Sequence, residues 1–383
     1  MASRFIPTIA SQSLGRAWHH GLEHKLDMCA QYGFESIELF YEDLDTVAKS
    51  LPPSHPASPA GTSFQNSTTA QEQQLAAADY IHELCQGHNL EILCLQPFMH
   101  YEGRLDQSSH DAAIAKLHFW IRIAQRLETD LIQIPSSFLP ATECTGDRAR
   151  IVEDLQQAAD IGLQTTPPTR FAYEALSWGT HVDTWDNAWS IVLEVDRSNF
   201  GTCIDTFNLA GRVFADPASP TGRTPNSDRD MQESIARLRS DLPIALEKVF
   251  YVEVCDGERL DSPLLADHAF YHPQQPTRMS WSRNARLFPF EKSGYLPALE
   301  ILEAICEIGY TGHISFELFS RTANQPQPEV PEEHARRAQI AWKKLSQHMG
   351  WQSNVAGLDI SRPDSGFHEA DAEAQYAASA ARL

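Results

Sequence analysis

Eight short β-type runs alternate with segments of helical period along this chain, and that order leaves few architectures open. The runs are Phe5–Ala10, Ser36–Phe40, Glu91–Gln96, Leu131–Pro135, Phe171–Ala175, Gly201–Asp205, Phe250–Cys255 and His313–Leu318. Most are rich in Ile, Val, Phe, Tyr or Leu and are bounded by Gly, Pro or polar residues. Between them, apolar residues recur on one helical face, as in Ala78, Ile81, Leu84 and Cys85, or Ile114, Leu117, Ile121 and Ala124. Ile151, Leu155, Ala158 and Ala159 repeat the pattern. The cleanest stripe is Trp185, Ala188, Trp189, Val192 and Leu193, with Thr184 placed to cap it. Later stripes are Leu299, Leu302, Ile305 and Cys306 before Gly309, then Ala338, Ala341, Trp342 and Leu345. Between strands six and seven the helix is drawn over Asp230–Leu242. Strands and helices in this order predict a single closed (β/α)8 barrel, a TIM barrel, over residues 1–349. A doubly wound open sheet is the alternative, but no G-x-G-x-x-G follows the first strand.

Three stretches fall outside the alternation. Pro52–Gln74 is rich in Pro, Ser, Thr and Gln and reads as a loop insertion after strand two. Asp256–Gly294 is a long loop after strand seven, carrying His, Arg, Trp and Pro, and so is placed to cover a substrate at the active face of a barrel. Trp351–Leu383 is polar and Ala-rich, and residues 350–383 read as a flexible C-terminal tail.

Charge excludes one class of partner. Asp and Glu total 51 against 30 Lys and Arg, a formal net charge of −21, and so acidic a surface repels the phosphate backbone of nucleic acids. No apolar run approaches the ~20 residues needed to span a bilayer, so no membrane partner is expected. The first residues run straight into a strand without a long apolar stretch, and the seven cysteines are scattered without a C-x-x-C pair. Both features predict reduced thiols and a cytoplasmic protein. The last three residues, Ala381-Arg382-Leu383, loosely resemble a peroxisomal address of the Ser-Lys-Leu kind. Nothing in the sequence excludes a homo-oligomer.

Four acidic residues sit at corresponding places in otherwise apolar strands: Glu174, Asp205, Glu253 and Glu317. A buried ionised carboxylate is costly unless paired or bound to a cation. Adjacent strand ends in a barrel point toward one axis, so these four are expected to converge. Four like charges so close need a counter-charge, and one divalent metal ion supplies it. Oxygen-rich ligation favours Mg²⁺ or Mn²⁺, allows Co²⁺, and argues against thiolate-style zinc. The competing reading pairs each carboxylate with its own Arg or Lys.

Several runs carry a resemblance: Gln96-Pro-Phe-Met-His-Tyr-Glu-Gly103, Tyr173-Glu-Ala-Leu-Ser-Trp-Gly-Thr-His181, Cys203-Ile-Asp-Thr-Phe207, Ser280-Trp-Ser-Arg283 and Phe316-Glu-Leu-Phe319. Over roughly residues 5–345 the chain resembles the 3-dehydroshikimate dehydratases of quinate catabolism, within the xylose-isomerase-like sugar phosphate isomerase/epimerase superfamily. The resemblance implies metal-dependent conversion of 3-dehydroshikimate, a small carboxylate substrate, to protocatechuate and water. The metal would polarise the 3-oxo group while a base takes the C4 proton and the C5 hydroxyl leaves. It also implies that Ser282 and Arg286, with Arg283 and Glu102 nearby, bind the substrate, the guanidinium gripping its carboxylate.

Two departures stand out. Glu253 occupies a metal position that is usually Gln or His in this family. Asn208 stands where bacterial members carry a His that serves as base, and an amide cannot take a proton at neutral pH. His181, seven residues past Glu174, is therefore the expected base, with His100 after strand three as the second choice. Arg321 would add positive charge nearby. Trp185 and Trp189 read as core, and Trp178 as pocket wall. A sugar or inositol isomerase or epimerase on the same barrel is the alternative activity. A nuclease for abasic DNA fits poorly with the acidic balance.

Overall fold

The computed structural model describes residues 5–51 and 69–351. Eight strands close into a parallel barrel: β1 Phe5–Ala10, β2 Ser36–Phe40, β3 Glu91–Gln96, β4 Leu131–Pro135, β5 Arg170–Glu174, β6 Phe200–Asp205, β7 Val249–Glu253 and β8 Gly312–Phe316. Neighbours follow chain order around the ring, and β1 closes it by pairing with β8, Phe5 opposite Gly312 and Ile9 opposite Phe316. The first four strands coincide with the runs expected from sequence. The last four begin one residue earlier, and β7 and β8 end two residues earlier. Pairing with β7 stops at Ser315 opposite Glu253, after which the chain leaves the sheet for the active-face loops.

Eleven helices surround the barrel among the described residues: α1 Leu22–Gln31, α2 Tyr41–Ser50, α3 Ala70–Gly87, α4 Gln107–Arg126, α5 Arg148–Gly162, α6 Trp185–Val195, α7 Thr206–Val213, α8 Ser227–Asp241, α9 Thr277–Ala285, α10 Ala298–Glu307 and α11 Val330–His348. Their apolar stripes face the strands. Trp185 and Trp189 on α6 are 3% exposed, core residues as their spacing predicted; burying side chains of this size contributes at least about 1.5–3 kcal/mol each. Thr184 caps α6 as expected, accepting from the Asn187 N–H at 3.4 Å.

Two expectations need correction. Residues 70–74, drawn as loop, open α3, because Thr69 and Glu72 form a reciprocal capping box that starts the helix there. The rest of that insertion, residues 52–68, lies outside the described residues, as does the tail beyond Trp351 and its final tripeptide. The long connection after β7 is not a bare loop. Asp256–Gly257 pairs antiparallel with Arg286–Leu287, and α9 packs in between. No described helix is long and apolar enough to cross a membrane.

Alternate residues of each strand point into the barrel. Register sets who meets there. Asp205 lies opposite Glu253 and Glu253 opposite Ser315, while Pro135 lies opposite Glu174, all near the strands' C-terminal ends. Cys94, Ala172, Cys203 and Tyr251 belong to a small apolar cluster separate from the main core.

Candidate active site and metal centre

Glu174, Asp205 and Glu253 each end their strand, and Glu317 follows the last residue of β8. All four are buried, and each offers an oxygen within 4.8 Å of the others. Oxygens at that spacing surround a hard divalent cation, whose bonds to oxygen run about 2.0–2.6 Å.

Each carboxylate is held by a different set of neighbours. Asp205 Oδ1 caps α7, accepting from the Phe207 N–H at 2.7 Å. Asp205 Oδ2 accepts from Asn208 Nδ2 at 2.6 Å and Arg286 Nη1 at 2.9 Å. Glu174 receives Asn208 Nδ2 at 2.7 Å on one oxygen and Gln133 Nε2 at 2.7 Å on the other. Glu317 takes Arg286 Nη1 at 3.0 Å and Gln12 Nε2 at 3.3 Å. Neither oxygen of the fully buried Glu253 has a hydrogen-bond partner among the described residues.

The feared one-to-one pairing with basic neighbours is absent among the described residues. One guanidinium, Arg286, serves Asp205 and Glu317 and offsets at most one of four negative charges. Burial first, then Glu317 and Asp205, push the Glu174 carboxyl well above the usual range. Glu253 is pushed well up by burial, then by Glu317, Glu38 and Glu174. Glu317 rises to about 8 from burial, although Arg286 pulls it back. Charge crowding of this kind, with an orphaned carboxylate and an all-oxygen donor set, fits a bound divalent cation.

A fifth acid lies beside the four, and the strand pattern had been read past it. Glu38, inside the apolar run Ser36-Ile-Glu-Leu-Phe40, is fully buried. It accepts from the Ser315 hydroxyl in a short hydrogen bond, from Gln96 Nε2 at 3.1 Å and from the Cys94 thiol at 3.5 Å. Its carboxyl adjoins that of Glu253. With burial pushing the Glu253 carboxyl well up, the two can share its proton in the metal-free chain.

The cluster opens into a cavity of about 340 Å³ lined by Glu174, Glu317, Arg286, Ser282, Arg283 and Trp178, among others. Ser282, Arg283 and Met279 come from α9, so the connection after β7 does supply part of the wall. Three larger cavities, about 440, 530 and 730 Å³, contain none of the four carboxylates. The smallest one holds the chemistry.

The expected bases are not there. His181 turns its ring away to the β4 loop, with Nε2 3.2 Å from the Cys144 carbonyl and the ring filling the space beside Gly146. His100 lies behind the lining residue Phe138, ring on ring at 4.2 Å, with its backbone in the left-handed region at φ 60°. Burial, then Arg104 and Lys116, lower its pKa to about 4, leaving it neutral at pH 7. Glu102 is likewise inside the protein, not on the cavity, accepting from the Ser137 N–H at 2.6 Å and the Tyr173 hydroxyl at 3.1 Å. Ser282 does stand beside Arg286, 3.0 Å from its Nε. Arg286 itself is committed to the carboxylates, and its guanidinium lies 4.4 Å above the Phe207 ring. Arg321 pairs with Glu258.

Asn208 has a clear task in this arrangement. Its amide N–H groups bridge Glu174 and Asp205 while its oxygen accepts from the Ser177 N–H at 3.0 Å, tying the β5 loop to the cluster.

The barrel has relatives among known proteins. Residues 26–344 match the family described as xylose isomerase-like TIM barrel. The chain belongs to this family. It is 50% identical over 345 residues to a Neurospora crassa protein named 3-dehydroshikimate dehydratase, covering 89% of this chain and 93% of that one. A Pseudomonas aeruginosa protein of the same name is 29% identical over 304 residues; the match takes in 78% of this chain but 36% of the bacterial one. Among solved structures, a xylose isomerase-like TIM barrel/4-hydroxyphenylpyruvate dioxygenase fusion protein superposes with a TM-score of 0.65 at 22% identity. That superposition covers 91% of this chain and 44% of the fusion. Family membership accounts for the barrel.

Proposed function

We propose that this chain is a metal-dependent 3-dehydroshikimate dehydratase, a carbon–oxygen lyase that yields protocatechuate and water. The observation that carries the reading is the 50% identity, along nine-tenths of the chain, to the Neurospora dehydratase. The buried four-carboxylate cluster at the cavity supplies the chemical means.

Glu174, Asp205, Glu253 and Glu317 would hold the ion. A bound Mg²⁺ or Mn²⁺, or Co²⁺, supplies Lewis-acid polarisation of the substrate's 3-oxo group. Loss of the C4 proton and of the C5 hydroxyl removes one water, and transfer of a C6 proton to the 3-oxo oxygen then leaves the aromatic ring. The remaining residues prepare that step. Gln133 and Asn208 fix both oxygens of Glu174, and Arg286 fixes one oxygen each of Asp205 and Glu317. Held acceptors of this kind cost no reorganisation when charge shifts onto the substrate. Phe138, Trp178 and Phe319 give the cavity apolar walls that limit water beside the reacting ring.

The test is turnover of 3-dehydroshikimate followed by the ultraviolet absorption of the aromatic product, with Mn²⁺ or Mg²⁺ and after EDTA treatment. The reading expects product with metal and none after chelation. Isomerisation of a sugar or inositol with no aromatic product would replace it.

A further inference from the structure

We propose that Lys116 binds the carboxylate of the substrate, an assignment that rests on the dehydratase reading above and names the contact that selects an acid. Four basic side chains line the cavity: Arg16, Lys116, Arg283 and Arg286. Arg16 is paired with Glu42 at 2.7 Å. Arg283 has a partner of its own. Arg286 spends Nη1 on Asp205 and Glu317 and Nε on Ser282. Lys116 has no carboxylate partner among the described residues, and its ammonium sits over rings instead, 5.0 Å from Phe98 and 5.3 Å from Trp120.

Substrate chemistry separates the two ends of the cavity. The 3-oxo and 4-hydroxyl groups go to the metal centre, while the carboxylate on C1 lies across the ring from them. Whatever grips that carboxylate must stand apart from the cluster. Arg286 is bonded to two members of the cluster, so it serves the near end. Lys116 projects from α4, an element that contributes no carboxylate to the cluster. An unpaired ammonium with a like charge, Arg104, in its surroundings gains directly from an incoming anion, and burial with Arg104 lowers its pKa until one arrives.

The discriminating pair of ligands is protocatechuate and catechol, which share the vicinal diol and differ by the carboxylate. Calorimetric titration of the Mn²⁺-loaded protein should show protocatechuate favoured by about 10- to 100-fold, the worth of one charge-assisted contact. Lys116→Met should erase that preference while leaving catechol affinity unchanged, which also shows that the variant is folded. Lys116→Arg should keep most of it. In turnover, Lys116→Met should raise KM for 3-dehydroshikimate with kcat nearly constant. A preference that survives in Lys116→Met overturns the proposal and returns the carboxylate to Arg286. A wild-type preference for protocatechuate without turnover of 3-dehydroshikimate would overturn the dehydratase reading and leave Lys116 as an acid-binding residue.

Discussion

Glu38 and Glu253 are two glutamates with adjoining carboxyls, both fully buried inside one barrel, yet their surroundings differ completely. Glu38 meets three donors, from Ser315, Gln96 and Cys94. Glu253 meets no nitrogen, hydroxyl or thiol donor among the described residues, only the carboxyl of Glu38. Glu38, with donors on both oxygens and no place in the four-carboxylate cluster, is a finished structural element. Glu253, without such donors, has the surroundings that a bound cation would complete. Burial alone therefore does not tell these two acids apart; their donors do.

Three substitutions probe that contrast, the most damaging first. Glu174→Gln replaces a cluster member whose oxygens both accept from amides, so the new amide must oppose one of them. Metal affinity and kcat/KM should each fall by more than the about 10- to 100-fold typical of outer-shell partners. Calorimetric titration with Mn²⁺ measures it, and affinity within threefold of wild type would remove Glu174 from the centre. Arg286→Met leaves Asp205 and Glu317 without their shared counter-charge and should cost the metal-free protein about 3–5 kcal/mol. Added Mn²⁺ should recover part of that loss, because a second cation enters the same charge cluster. Identical thermal unfolding of variant and wild type in EDTA would show that Arg286 carries no such burden.

The third substitution is a matched pair. In metal-free protein, Glu38→Gln turns an NH₂ toward existing donors and should destabilise by about 1–3 kcal/mol. Glu253→Gln gives up no nitrogen, hydroxyl or thiol donor and removes an acid from a crowded cluster, so it should not destabilise. Its defect should appear only in Mn²⁺ affinity. Chemical denaturation in EDTA beside metal titration reads both axes. If the two variants behaved alike on both, the distinction between a finished acid and a waiting one would be lost.

The strands and the four acids were legible because burial leaves a local signature: a charged residue in an apolar run of period two. Glu38 carries the same signature in β2, but it stands alone there, outside the run of acids in the consecutive strands β5 to β8. Three other elements had no local signal. His181 was placed at the site by its spacing from Glu174, but the loop's course is decided by the Cys144 carbonyl, distant in sequence. Lys116 falls between Ile114 and Leu117, apolar positions of the α4 stripe, and in sequence is one more polar residue beside that stripe. Arg286 was legible as a cation near the site, but which acid it would meet depended on the short ladder that folds Arg286–Leu287 back onto Asp256–Gly257.

Glu102 is the intermediate case and yields the smallest effect. Two donors reach one oxygen, from Ser137 and Tyr173, while the other oxygen is buried without a partner. Burial wins over those donors and raises its pKa to about 7. The folded chain therefore holds a proton there that the unfolded chain has released by about pH 4.5. Stability from this group is complete below that pH and is lost as pH rises through about 7. Glu102→Gln stays neutral throughout and keeps an oxygen for both donors. Its stability should match wild type near pH 5 and exceed it by ~1–3 kcal/mol at pH 8.5. Urea unfolding at the two pH values, with EDTA present to silence the metal centre, isolates the difference. A gap of equal size at both would mean that Glu102 is ionised in the fold after all, held by two donors as securely as Glu38 is by three.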